Sequence, residues 1–211
     1  MPASRHTTLL LVRHGGTTAG ADHFAGSIDV PLSDDGLAQA AALSRRLAEV
    51  RIDAMYSSPL QRAMQTANAI ASAHGMTPQP NPDLREIAHG HWEGRSISDV
   101  KSCFADEYAA YEREPLTFAP SGGEPGAAVL ARVLPAIRQI VERHAGQTVL
   151  AVSHKATIRL ALCGLLGIDP RLYRARLQVD LASLNVLRFS DPHEAQLVRF
   201  NDTSHYSTSI V

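Results

Sequence analysis

The sequence predicts an α/β fold: a three-layer α/β/α sandwich with a mostly parallel central sheet and a cap-like insertion over the C-terminal ends of the strands. Three observations carry this. Short apolar runs alternate with segments of helical period along most of the chain. One stretch, residues 81–126, interrupts the alternation with a composition rich in Pro, Gly, Glu and aromatic residues. Two apolar runs end on a histidine, at Arg13-His14 and at Ser153-His154. Ligands of open parallel sheets bind outside the carboxyl ends of the strands, so two distant parts of the chain bring a histidine to one rim.

Each element has its own signal. Thr7 to Val12 reads as a buried strand that stops at Arg13-His14-Gly15-Gly16. Ser33 is a helix N-cap with Asp34 and Asp35 in the first turn, and Leu37, Ala40, Leu43, Leu47 and Val50 follow at spacings of three and four. Ile52 to Tyr56 is a second strand. Ser58 and Pro59 open the next helix, with proline where a missing N–H costs nothing, and Gly75 ends it after about His74. Residues 81–126 read as loops plus a short helix. Ala127 to His144 is helical, with Val129, Val133, Ile137, Ile140 and Val141 on one face and Pro135 as a kink. Thr148 to Val152 is a buried strand, Ile158 to Leu166 an apolar helix, and Ser183 to Phe189 and Ala195 to Phe200 two late strands.

Composition sets the outer limits. A length of 211 residues suits one domain, 1–211, better than two. With 45% hydrophobic and 19% charged residues the chain has the balance of a soluble globular protein. A formal net charge of −1 gives no field to recruit nucleic acid or an acidic membrane. No apolar run approaches the ~20 residues of a membrane span, and Leu9 to Val12 is too short for a signal-peptide core, so a cytoplasmic protein is expected. Cys103 and Cys163 suggest no disulfide framework. Lys101 and Lys155 are the only lysines among 20 basic residues. Guanidinium suits phosphate clamping, a role open to only one or two of the arginines.

Arg13-His14-Gly15 in isolation is an ordinary strand-end turn. A zinc site built from His14, His89, His91 and His154 lacks a Cys pair or a His-Glu-x-x-His helix, and Arg13 would repel the cation. No metal and no other cofactor is expected. The wider pattern is more specific. Leu9-Leu10-Leu11-Val12-Arg13-His14-Gly15 is followed by Val30-Pro31-Leu32-Ser33, then by Ser57-Ser58-Pro59-Leu60-Gln61-Arg62-Ala63-Met64-Gln65-Thr66-Ala67. Leu84-Arg85-Glu86-Ile87, His91-Trp92-Glu93-Gly94, Ser121-Gly122-Gly123-Glu124 and Val152-Ser153-His154 complete it. In residue type, order and spacing, from about residue 8 to about 190, the chain resembles the histidine phosphatase superfamily, in its phosphoglycerate-mutase-like branch.

The resemblance implies a metal-independent phosphatase acting on a small-molecule phosphate ester. His14 would be the nucleophile, with a backbone carbonyl fixing its tautomer. Arg13 and Arg62 would clamp the phosphate, Arg62 from the first turn of its helix. His154 would donate to the phosphate, and the helix start at Lys155 and Ala156 would add donors. Glu86 would protonate the leaving oxygen and then activate water. Glu93 reads as an acceptor for the loop backbone, and Asp29 as a turn-former. The family often carries polar residues where this chain has Gly16, Gly20 and Ala25, with Thr17, Thr18 or backbone N–H groups as replacements. Phosphoglycerate-mutase-type transfer competes, but Ala88 to Gly94 is the short, phosphatase-like form of its segment. A non-catalytic phospho-ligand binder would be expected to lack one of the five core residues. Phe104, Tyr108, Tyr111 and Phe118 are expected to form a local core, and Arg171, Arg174 and Arg176 a solvated face. The substrate and the oligomeric state are not specified by these motifs.

Overall fold

The computed structural model describes residues 6–20 and 22–207. Strand β1 (Thr7–Arg13) is buried on both faces. Leu9 and Leu11 pack into one core, and Leu10 and Val12 into another. Such two-sided burial is what a continuous apolar run in a central strand encodes. Around it lie β2 (Ala54–Ser57), β3 (Gln79–Pro80), β4 (Thr148–Ser153), β5 (Leu184–Asp191) and β6 (Glu194–Asp202), in spatial order β3-β2-β4-β1-β5-β6. The first four run parallel, and β5 and β6 are antiparallel additions at one edge.

Helices α1 (Asp34–Leu47) and α2 (Gln61–Ser72) cover one face of the sheet, with Leu43, Leu47, Ala67 and Ile70 against Leu10 and Val12. Helices α5 (Gly126–Arg143) and α6 (Lys155–Leu166) cover the other, with Val133, Ile137, Ile158 and Leu162 against Leu9 and Leu11. This is the expected three-layer sandwich. The short helix α7 (Tyr173–Arg176) leads to the β5–β6 hairpin. No helix among the described residues is long and apolar enough to cross a membrane.

Several local expectations are corrected. Leu37 and Val50 are 48% and 37% exposed; the inward stripe of α1 is Gly36, Ala40, Leu43 and Leu47. Helix α2 starts at Gln61 rather than at Ser58, because Ser58 still belongs to the sheet, its N–H donating to the Val152 carbonyl at 2.9 Å. Residues 81–126 hold more structure than loops and one helix: two 3₁₀ turns, α3 (Ile97–Cys103) and α4 (Ala105–Arg113). There Phe24, Trp92, Val100, Tyr108 and Tyr111 form a third core, with Phe104 and Phe118 packed on it. Arg171 and Arg176 are exposed, whereas Arg174 is half-buried, its guanidinium 4.1 Å from the centre of the Tyr111 ring.

The loop after β1 is pressed against the start of α1. Ser33 caps the helix, its hydroxyl accepting from Gly36 N–H at 3.2 Å, and its own N–H donates to the Gly16 carbonyl. A Cβ on Gly36 would stand 2.0 Å from the Gly16 carbonyl oxygen, backbone that cannot rotate aside. Gly36→Ala is therefore expected to cost about 1–3 kcal/mol in urea unfolding, the usual range for overpacking. Unchanged stability would show that this approach is looser than drawn.

Candidate active site

The parallel register of β1 and β4 sets Arg13 opposite Ser153, so the next residues, His14 and His154, leave adjacent strands side by side. His14 N–H donates to the Ser153 carbonyl at 3.1 Å, and the His14 carbonyl accepts from Ala182 N–H at 3.0 Å. Both backbone groups of His14 are thereby fixed. The two imidazole centres are 5.0 Å apart. Because α1 and α6 depart to opposite faces of the sheet, the histidines sit where a doubly wound sheet opens its crevice.

His14 Nδ1 lies 2.7 Å from the Gly15 carbonyl oxygen. A carbonyl can only accept, so Nδ1 carries the hydrogen and Nε2 keeps its lone pair. Burial, with Arg13 and Arg62 nearby, holds His14 well below the usual histidine pKa, so the ring is neutral at neutral pH. His154 is fully buried behind it, also held well below the usual value by burial and by the His14, Arg62 and Arg13 side chains. Its Nε2 is 2.7 Å from the Ser58 hydroxyl, and its Nδ1 has no partner among the described residues.

Arg13 donates to the Val179 carbonyl at 2.9 Å, its buried Nε has no partner among the described residues, and burial lowers its pKa to about 10. Arg62 is almost completely buried and donates to the carbonyls of Gly26 (2.6 Å) and Ile28 (2.8 Å). The loop it grips is held from two further sides. Asp29 accepts from Gln61 N–H at 2.6 Å, capping α2 from outside. Glu93 accepts from the N–H groups of Ser27 (2.7 Å) and His89 (2.9 Å), as a loop acceptor should.

Glu86 is seated on the N-terminus of α6. It accepts from the N–H groups of Ala156 (3.3 Å) and Thr157 (3.2 Å), and one of its oxygens lies 3.2 Å from Thr157 Oγ1. Thr157 Oγ1 also lies 2.6 Å from the Arg85 carbonyl. The carboxylate is placed by a helix terminus, an arrangement its own Leu-Arg-Glu-Ile segment does not reveal.

A cavity of about 640 Å³ opens here, and Arg13, His14, Thr17, Arg62, Glu86 and Lys155 all line it. His154 does not; it stands behind His14. Burial, then Arg159 and Arg13, pull Lys155 below the usual lysine value. Gly16, Gly20 and Ala25 also line the cavity. In place of a side chain at Gly16 stands Gln39 of α1, whose Oε1 accepts from Gly16 N–H at 2.9 Å. Thr18 is turned outward. Gln39, Asp180 and Tyr206 are lining residues that the sequence motifs did not single out, and His89, considered there only for zinc, lines the cavity with them. No three His, Cys, Asp or Glu side chains converge as a metal site among the described residues.

The buried neutral imidazoles of His14 and His154, with His89 beside them, make stability depend on pH. The unfolded chain takes up protons below about pH 6.5, the folded chain does not, so folding weakens as pH falls through that value. Each histidine is expected to contribute a slope of up to ~1.4 kcal/mol per pH unit. Urea unfolding between pH 7.5 and 5 checks this. His154→Gln should reduce the slope by about one proton; an unchanged slope would mean that His154 is protonated in the fold.

The fold and motifs have clear relatives. Residues 9–203 match the model of the histidine phosphatase superfamily (branch 1). The chain is 32% identical over 198 residues to phosphoserine phosphatase 1 of Hydrogenobacter thermophilus, covering 93% of both chains. It is 33% identical over 161 residues to the adenosylcobalamin/alpha-ribazole phosphatase of Escherichia coli, covering 76% of this chain and 79% of that one. Among solved structures, YhfR of Bacillus stearothermophilus superposes with a TM-score of 0.88 at 28% identity, over 94% of this chain and 98% of its own. With strand order, the paired histidines and the matched residues in agreement, the chain belongs to the histidine phosphatase superfamily, branch 1.

Proposed function

We propose that this protein is a cytoplasmic, metal-independent phosphatase of small phosphorylated metabolites, a single catalytic unit working through phosphohistidine at His14. The observation that carries the reading is the His14 ring. Its Nδ1–H is held by the Gly15 carbonyl, leaving Nε2 unprotonated beside a cavity lined by the buried Arg62 guanidinium and the half-buried Arg13. A neutral, oriented imidazole next to two cations is prepared to attack a dianionic phosphoryl group.

In the first step Nε2 bonds to phosphorus and the P–O ester bond breaks. Arg13 and Arg62 hold the non-bridging oxygens, and Thr17 and Lys155 contribute from the cavity wall. The leaving oxygen takes a proton from Glu86 in its acid form. In the second step Glu86 removes a proton from water, the new oxygen bonds to phosphorus, and Nε2 departs. His154 supports both steps from behind. Its Nε2 stays 2.7 Å from the Ser58 hydroxyl, so its part is to back the His14 ring rather than to reach into the cavity. Phosphatase chemistry is favoured over mutase-type transfer by the short Ala88–Gly94 segment and by relatives named phosphatases.

His14→Ala is expected to abolish turnover of p-nitrophenyl phosphate, by about a thousandfold or more. The wild type, quenched after mixing, should carry acid-labile, alkali-stable phosphate at His14. Normal hydrolysis by the variant would refute the mechanism. Glu86→Gln should slow alkyl phosphates by about 10²–10⁴-fold and p-nitrophenyl phosphate far less, since that leaving group scarcely needs a proton. Equal slowing of both would assign Glu86 another role.

A further inference from the structure

Glu86 follows directly on the 3₁₀ turn Pro82–Leu84, in a stretch that belongs to no helix or strand. After the turn the backbone is extended, with Arg85 at φ −60° and ψ 158°. Chain in this form has no ladder for its carbonyls, yet four consecutive ones are met. The Leu84 carbonyl accepts from the Ser153 hydroxyl at 2.8 Å, and the Arg85 carbonyl from the Thr157 hydroxyl at 2.6 Å. The remaining bonds come from one side chain. Arg132 of α5 donates through Nη1 to the carbonyls of Asp83 (2.6 Å) and Arg85 (3.0 Å), and through Nη2 to that of Glu86 (3.3 Å).

The plane of this guanidinium is fixed from its other edge. Glu124 accepts from Nε at 2.8 Å and from Nη2 at 2.9 Å, one bond to each carboxylate oxygen. A guanidinium has five N–H donors, and all five are used here: two on Glu124 and three on the segment that carries Glu86. The two side chains are only 12% and 19% exposed. Glu124 N–H also donates to the Ala88 carbonyl at 2.8 Å, so the chain is gripped on both sides of Glu86. An ion pair that merely joined α5 to the loop before it would need the two bonds to Glu124 and none of the other three. In front of this clamp the Glu86 carboxylate rests on the N–H groups of Ala156 (3.3 Å) and Thr157 (3.2 Å), bonds that a small backbone shift would break.

We infer that Arg132, oriented by Glu124, is a positioning residue for Glu86: it fixes the backbone from which the carboxylate reaches the start of α6 and the cavity. The inference rests on the phosphatase reading, in which Glu86 gives and takes the proton. Neither Arg132 nor Glu124 lines the cavity, so the clamp acts on the ester through the residue it holds. Misplacing a reacting group by about 1 Å costs about a hundredfold in rate.

The test measures kcat and KM for propyl phosphate and p-nitrophenyl phosphate. It compares the wild type, Arg132→Lys, Glu124→Gln, Glu86→Gln, and Arg132→Lys combined with Glu86→Gln. Lysine keeps the positive charge, one of those that hold His154 neutral, and loses the fork. Arg132→Lys should lower kcat for propyl phosphate about ten- to a hundredfold, with a smaller loss on p-nitrophenyl phosphate and KM within about threefold for both. Glu124→Gln keeps an oxygen for Nε and should fall between Arg132→Lys and the wild type; it carries the same comparison if circular dichroism shows Arg132→Lys unfolded. The double variant should be no more than about threefold slower on propyl phosphate than Glu86→Gln alone, since a residue acting through Glu86 then has nothing left to place. A double variant slowed by the product of the two single losses would overturn the inference, as would an unchanged kcat for propyl phosphate in Arg132→Lys. So would equal losses on both esters in Arg132→Lys where Glu86→Gln is selective for propyl phosphate. Equal slowing of both esters by Glu86→Gln would instead refute the proton-transfer role of Glu86, and the double variant would still decide whether Arg132 acts through it.

Discussion

The site depends first on the parallel pairing of β1 with β4. Because Arg13 stands opposite Ser153, the two histidines leave the sheet in step, and a hydrogen bond from His14 N–H to the Ser153 carbonyl locks that step. A one-residue slip would turn every side chain of β1 to the other face, exchanging Leu9 and Leu11 for Leu10 and Val12 between the two cores. Burial on both faces leaves no such freedom. The fold therefore sets the 5.0 Å between the imidazole rings by hydrophobic packing, with no direct hydrogen bond between the two rings.

The same packing creates an electrostatic demand. Arg13, Arg62 and Lys155 are all drawn below their usual pKa values, chiefly by burial, and the two histidines beside them stay neutral. Burying guanidiniums is unfavourable unless carbonyls and anions surround them. Carbonyls of Gly26, Ile28 and Val179 meet part of this need, and a phosphoryl dianion would meet the rest. Glu93 and Asp29 matter because they hold the loop supplying two of those carbonyls, one from the 81–126 segment and one across the start of α2. Although neither carboxylate lines the cavity, both set where Arg62 points.

Legibility in the sequence followed the range of the forces involved. Strands β1 and β4 and the buried stripe of α5 were readable because burial imposes a period, and the Ser33 cap because it acts within three residues. The start of α2 was misplaced because its cap, Asp29, arrives from 32 residues away. Leu37 and Val50 kept the helical period yet lie outside the contact between α1 and the sheet. Within the site, Arg13, His14, Arg62 and Glu86 were legible as a pattern spread along the chain, and their convergence on one cavity as a consequence of the strand ends. Gln39 was not, since a glutamine on a helix gains meaning only from what faces it.

That difference reflects a division of labour in the fold. His14 and the cations stand on strand ends, on the loop that β1 feeds and at the start of α2, all tied to the two-sided core. The residues at the far side of the cavity come from elsewhere: Phe24 and His89 from the third core, Gln178, Asp180 and Tyr206 from the segments before and after the β5–β6 hairpin. These elements carry little of the central sheet, so their side chains are free to change while the register that aligns His14 and His154 is kept. The chain's own departures fit this arrangement. Gly16 leaves a gap that Gln39 fills from α1, whereas Gly20 and Ala25 thin the rim beside Phe24 and His89. A rim reduced there leaves the placement of His14, Arg13 and Arg62 untouched, because those residues are held by the sheet and by the loop that Asp29 and Glu93 grip.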